Sequence, residues 1–411
     1  MKSRITLVAA LGAACITPAF SQWDFTLDGR DVQIHSFASQ GFAYSDNNNY
    51  LSMHTSDGSF SMTDMGININ SQITNNFHVG AQLYDRNVGH LGNWRPDADW
   101  YVADYKVKSW FGIRGGKVKT ALGLYNDTQD LNFLYTWALF PQSVYPVDSR
   151  GDNIAHVGGD IYGSIGTEKL GSMSYTLYGG QRLNDPGSGL VYGNETSGAV
   201  TINGASVFVL GNGKNIKSFS GPVYGADLRW TTPVNGLVMG TSYEDLNISG
   251  SGTYIKNGAP YINHTAIDEI YAFYTAYTLG NFNFAGEYRR EPRDSNFTSA
   301  AGPWSTNHRN SRQGFVSAAY RVSRRVELGA YHSRFILNWQ ANHGDPQNHV
   351  FDTTLSSKFD LTRYLDFKAE GHFIDGDMVN SGMSRGFFVA EDTNGFVPHM
   401  KLLILRLEFH M

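Results

Sequence analysis

Along much of the chain apolar and polar residues alternate one for one. Near the end, Leu403, Leu405, Leu407, Phe409 and Met411 fall on one face, with Leu402, Ile404, Arg406 and Glu408 on the other. Leu365, Phe367, Ala369, Gly371 and Phe373 oppose Asp366, Lys368, Glu370 and His372. Phe351, Leu355, Phe359 and Leu361 oppose Asp352, Thr354, Ser356, Lys358 and Asp360, and Phe282, Phe284 and Tyr288 oppose Asn283, Glu287 and Arg289. A period of two is that of an extended strand, whose successive side chains point to opposite faces. Each run therefore predicts a strand with one apolar and one polar face. Long helical stripes are scarce.

About sixteen such runs are found, at 31–44, 60–73, 76–85, 100–111, 115–124, 157–166, 172–182, 222–232, 236–248, 265–279, 281–290, 313–323, 325–337, 349–362, 364–374 and 399–410. Their connections alternate between short and long. The short ones read Asn75, Gly112 to Arg114, Thr167 to Gly171, Pro233 to Asn235, Gly280, Arg324 and Arg363. The long ones lie at 45–59, 86–99, 125–156, 183–221, 249–264, 291–312, 338–348 and 375–398, and are rich in Asn, Asp, Gly, Ser and Pro.

The alternation of loop length has a physical cause. In a bilayer every backbone polar group must be paired, and a sheet achieves that only by closing on itself. An even number of antiparallel strands puts both termini on one side, where turns stay short while the opposite loops grow. The expectation is an all-β, closed transmembrane antiparallel barrel of about sixteen strands, with short periplasmic turns and long extracellular loops. Trp100-Tyr101, Trp110-Phe111, Tyr271 to Tyr277 and Phe387-Phe388 are candidates for its interfacial aromatic girdles. A soluble sandwich or propeller would account for strands, but not for this loop rhythm, and no blade-length repeat is present.

Composition sharpens the picture. Of 411 residues, 14% are aromatic and 17% charged, so the surface is poor in charge for a soluble protein. Lys2 and Arg4, the apolar stretch Ile5 to Ile16 and then Ala19-Phe20-Ser21 read as a secretory signal over 1–21, leaving 22–411 as a single barrel domain. The one cysteine, Cys15, leaves with it; a lipoprotein reading of Gly12-Ala13-Ala14-Cys15 lacks the usual leading Leu. Loss of Lys2 and Arg4 takes the net charge from −5 to −7, which argues against nucleic acid as a partner. No later segment has 18 consecutive apolar residues, which excludes spanning helices. Export without such helices points to the outer membrane of a Gram-negative bacterium, with its lipid and lipopolysaccharide around the wall.

The third long loop, 125–156, is too apolar for a surface loop. Leu131, Leu134, Tyr135 and Ala138 repeat at helical spacing, Asp127 suits an N-cap, Asp130 suits the positive helix end and Pro141 suits a stop. A third loop folded into the lumen is expected, turning Asp127, Asp130, Asp148, Arg150 and Asp152 towards the water path. The same residues also suit ordinary solvated loop charges.

The stretch Gly116-Lys117-Val118-Lys119-Thr120-Ala121-Leu122-Gly123-Leu124-Tyr125-Asn126, with Asp130 and Pro141-Gln142-Ser143-Val144-Tyr145, resembles the phosphate-selective-porin-like family of Gram-negative outer-membrane proteins. The resemblance covers about thirty residues. It implies a sixteen-stranded barrel, usually a homotrimer, that passes small solutes. Ala121 replaces the family's proline, and the chain ends on Met411, with Phe409 two residues before it on the same face.

The expected function is a passive diffusion channel for small polar or charged solutes or ions. Lys106, Lys108, Lys117 and Lys119 would form a basic wall facing the acids of the loop, with Arg321 among the further lumen cations, and together these would make the pore constriction. No ladder of arginines is visible that would carry phosphate selectivity. A closed or narrow barrel serving as structural anchor or adhesin is the alternative, and conductance separates the two. A plugged uptake receptor has no domain-sized segment to supply its plug. Enzyme chemistry finds no footing: there is no Gly-x-Ser-x-Gly elbow, His308, His332, His343 and His349 lack ligand spacing, and Asp46-Asn47-Asn48-Asn49 lacks a calcium loop's spacing. No cofactor or metal is expected.

Overall fold

The computed structural model describes residues 23–27, 30–167, 169–202, 205–299, 302–378 and 385–411; the leader expected over 1–21 lies outside them. The strands are β1 Trp23–Leu27, β2 Arg30–Ser45, β3 Ser59–Thr74, β4 Phe77–Val88, β5 Asp97–Lys108, β6 Phe111–Lys119, β7 Ala155–Thr167, β8 Gly171–Arg182, β9 Ser197–Ile202, β10 Ala205–Leu210, β11 Lys214–Thr231, β12 Leu237–Leu246, β13 Ser249–Tyr254, β14 Pro260–Leu279, β15 Phe282–Ser299, β16 Gly302–Arg321, β17 Val326–Ile336, β18 His349–Asp360, β19 Leu365–Asp375 and β20 His399–His410.

Sixteen staves make the barrel. β12 and β13 form one, because both lie between β11 and β14. β1 folds back on β2, and β9 and β10 make a separate hairpin. All neighbours are antiparallel, and β2 closes the ring against β20 in the register Phe37↔His410 to Ser45↔Leu402. Leu83, Tyr105, Leu177, Phe273, Val316 and Leu355 stand exposed on the outer face, as apolar residues of a membrane barrel should.

The structure departs from the expected boundaries in two ways. The turn expected at Gly112 to Arg114 lies at Ser109-Trp110. Gly112 is instead a strand residue whose missing side chain makes room for Tyr162; a Cβ there would come within 2.4 Å of that ring. The expected loops 183–221, 249–264 and 291–312 are partly ladder, since β11, β13, β14, β15 and β16 run on to Ser299↔Gly302. A strand standing in water needs no apolar face, so polar runs such as Arg293-Asp294-Ser295-Asn296 give no alternation to read.

One side of the interior is apolar. Tyr50, Leu51 and Met53, Leu91, Ala138 and Leu139, and Phe387 and Phe388 pack on Phe335, Ile374, Met400, Leu402 and Ile404. Segments from four long loops thus build a core against the inner faces of β17, β19 and β20. Phe387 and Phe388 belong to this core, not to an outer girdle. Trp100 also turns inward, while Tyr101 and Trp110 are exposed.

Candidate functional site: the inward segment and its wall

The connection from β6 to β7 is pinched at its base. Thr120 donates its N–H to the Ile154 carbonyl at 3.0 Å, and the Asn126 amide donates to the carbonyls of Thr120 at 2.9 Å and Asn153 at 3.1 Å. From there the chain runs into the barrel. The expected helix over 127–140 does not form; a single 3-10 turn, Asn132–Leu134, stands in its place.

The wall takes over the bonds a helix would have made. Glu370 accepts from Ala138 N at 3.1 Å and Leu139 N at 2.9 Å. Lys368 donates to the carbonyls of Asn132 at 2.7 Å and Trp137 at 3.0 Å, Lys358 donates to that of Phe133, and Arg406 donates to that of Ala138 at 2.9 Å. Ser356 donates to the Thr136 carbonyl at 2.9 Å, and Thr136 bonds Glu327. Buried backbone groups must be paired somewhere, and here side chains of β18 to β20, most of them charged, pair them. Trp137, Phe140, Val144 and Tyr145 pack on Phe315 and Tyr331, whereas Leu134 of the expected stripe is exposed.

Three of the expected site residues come together. Lys119 binds Asp130 at 2.8 Å and lies over the Trp100 ring at 5.4 Å. Gln82 donates to Asp130 at 2.9 Å and to Asp99 at 3.0 Å. Arg150 grips Asp99 with two bonds, 2.9 and 2.8 Å, and stacks on Tyr84 at 3.9 Å. Gln82, Tyr84, Asp99 and Trp100 were not expected here. Sequence reading placed 86–99 in a loop, and a neutral glutamine gives no charge signal.

The other expected residues are distributed. Asp127 gives its carbonyl to Lys119 at 3.0 Å and interacts electrostatically with Arg229. Asp148, buried, accepts from Gly386 N at 3.0 Å. Asp152, buried, accepts from Asp185 N at 2.7 Å; burial first, and then the Asp185 carboxylate, push its pKa up to about 7. Lys117 does not join Lys119. It lies opposite Tyr101 of the outer face and bonds Asp97 at 2.9 Å and the Ala98 carbonyl at 2.6 Å. Lys106 and Lys108 are exposed beside the Ser109-Trp110 turn, and Arg321 is paired with Glu327 at 2.6 Å and Asp360 at 2.9 Å at the short-turn end. The basic wall of four lysines is therefore not assembled: strand pairing sends Lys117 outward and puts Lys106 and Lys108 at the rim.

Inner-wall charge is mostly paired. Arg114 meets Asp160 at 2.8 Å, Arg182 meets Glu244 at 2.7 Å, Arg289 meets Glu287 at 2.6 Å and Arg406 meets Asp64 at 2.8 Å. Arg114 was hidden by the misplaced turn. Towards the long-loop end, a cavity of about 200 Å³ lies among Tyr145, Arg150, Arg289, Arg293 and Phe388. Among the described residues no three His, Cys, Asp or Glu side chains are placed to hold a metal.

Solved structures share this architecture at low sequence identity. OmpT of Vibrio cholerae, an outer-membrane protein described in a trimer form, aligns with TM-score 0.51 and 11% identity over 93% of this chain and 99% of its own. The outer-membrane channel DcaP of Acinetobacter baumannii aligns with TM-score 0.53 and 8% identity over 94% and 99%. The anion-selective porin from Comamonas acidovorans aligns with TM-score 0.53 and 10% identity over 93% and 100%. The chain has the sixteen-stranded fold of these outer-membrane barrels. No family model and no curated protein matches it in sequence. Such identities establish the fold, and function is argued from the site.

Proposed function

We propose that the chain is a Gram-negative outer-membrane porin, a passive channel for small polar or charged solutes, narrowed by the segment 120–154. The observation that carries this reading is the inward course of that segment, bonded to the inner walls of β4, β5 and β17 to β20. The side with the apolar core is filled. We place the water path on the opposite side, where Lys119 lies over Trp100, Arg229 lies over Tyr274 and Asp127 interacts with Arg229. Because the wall arginines are matched by acids, the channel sorts by size more than by charge sign, and phosphate selectivity is not carried over from the family that the 116–145 stretch resembles. A homotrimer is part of the proposal, in keeping with the trimer form described for OmpT.

The test is solute-dependent swelling of liposomes that contain the purified protein. Rates should fall steeply with solute size and little with solute charge. The apolar core inside the barrel favours a second reading, a closed barrel acting as an anchor; swelling no faster than protein-free liposomes would establish it.

A further inference from the structure

On the outer wall, beyond the apolar band, three arginines stand on neighbouring strands. Arg290 of β15 lies directly opposite Arg312 of β16, and Arg334 of β17 lies one diagonal step from Arg312. They share the alternation of Tyr288, Val316 and Leu328, which are exposed on that face. Arg290 follows Phe282 by eight residues. At about 3.3 Å per residue and about 40° of tilt this is roughly 20 Å of height, close to the span of an apolar band of about 25 Å. The row therefore sits at the headgroup level of the long-loop side.

None of the three has an ion-pair partner among the described residues. Nearby acids are engaged elsewhere: Asp268 and Glu291 hold Arg293, Asp294 holds His308, and Glu269 accepts from Tyr271 at 2.9 Å. What the arginines have instead are rings and one hydroxyl. Arg312 donates to the Tyr288 hydroxyl at 2.6 Å and lies over Trp339 at 5.5 Å, and Arg334 lies over Phe351 at 4.4 Å. Like charges directly opposite each other weaken a strand pair, so the row opposes the fold unless an anion sits on it. Side chains about 5 Å apart along the pair and about 7–8 Å along the diagonal can present several guanidinium forks to phosphate oxygens. Aromatic residues beside them suit the boundary between acyl chain and headgroup.

We propose that Arg290, Arg312 and Arg334 form a clamp for the phosphate groups of an anionic glycolipid in the outer leaflet. The inference rests on the barrel lying in an outer membrane, not on its conducting solute. The experiment uses the full chain in phosphatidylcholine vesicles doped with bisphosphorylated lipid A, extracted into mild detergent. Lipid retained per barrel is read by native mass spectrometry. Wild type should keep lipid A and release its dephosphorylated form. The variant R290Q/R312Q/R334Q should bind lipid A about a hundredfold more weakly.

R290K/R312K/R334K keeps the charge but loses the forks and should fall between. If the glutamine variant does not fold, the lysine variant and R334Q decide, each with a graded loss. Equal retention by any of these variants and wild type overturns the proposal. So does retention of dephosphorylated lipid A, displacement by inorganic phosphate alone, or a changed subunit count of the variants in pure phosphatidylcholine, which would make the row a contact between copies. Conductance of the same samples is read separately. Normal conductance with unaltered lipid retention defeats only this inference, whereas absent conductance with phosphate-dependent retention defeats only the channel.

Discussion

At the scale of single residues, the inner wall holds charges by pairing them rather than by exposing them. Arg150 is the clearest case, with its two-pronged grip on Asp99 and its stack on Tyr84. Arg150→Met leaves Asp99 buried without its cation and should destabilise the barrel by about 3–5 kcal/mol. Unfolding in denaturant with the double variant R150M/D99N as control checks this: the pair should recover part of the loss, and no recovery would mean that the stack on Tyr84 was the main contribution.

Asp152 makes a prediction in pH. Its pKa in the folded chain is raised to about 7 from an ordinary 3.8, so the protonated form is favoured by folding. Its contribution to stability is full below about pH 4 and is lost as pH rises through about 7. Asp152→Asn should remove that part of the pH dependence. Stability curves of the two proteins that stay parallel across this window would contradict the assignment.

Much at this scale was hidden in the sequence. The lysine pair 117 and 119 has the spacing of a shared face, yet Lys119 stands where the strand ends and reaches inward to Asp130, while Lys117 is fixed opposite Tyr101. Spacing gives relative direction along a strand, and it carries no information on where the strand stops.

At the scale of elements, the sixteen staves were legible because a wall between lipid and lumen forces a two-residue period on the sequence. The runs at 349–362, 364–374 and 399–410 became β18, β19 and β20 almost residue for residue. What was not legible is the inward segment's backbone. A helical stripe at Leu131, Leu134, Tyr135 and Ala138 is a local preference, and it lost to Glu370, Lys368, Lys358 and Arg406, residues more than two hundred positions away. Lys368→Met frees the Asn132 and Trp137 carbonyls and leaves Glu408 with one cation fewer. The segment should then fluctuate, seen as larger open-channel current noise in planar bilayers with the barrel still folded. Noise equal to that of wild type would mean that the aromatic cluster around Trp137 and Tyr331 suffices to hold it.

At the scale of the whole molecule, loop length encodes sidedness. Short turns collect at one end, among them the one around Val234, and the long connections at the other, among them the loop that carries Asn257. In a chain that also carries Cys15→Ser, so that no other cysteine is present, a membrane-impermeant maleimide on intact cells should label Asn257→Cys and leave Val234→Cys untouched. The reverse pattern would invert the barrel in its membrane. The apolar core was not legible at all, because Met400, Leu402 and Ile404 on the polar side of a strand look like lapses in the alternation until the loops that cover them are seen.

The claim on which the account turns is that one side of the lumen is open to water and that the inward segment sets its width. Single-channel conductance of wild type against a chain lacking 128–140 measures this directly. Wild type should conduct, and the deletion should conduct more, since it removes Trp137 to Phe140 from the lumen and leaves Lys358, Lys368, Glu370 and Arg406 in water that can solvate either sign. A folded deletion barrel whose conductance equals that of wild type would contradict the account.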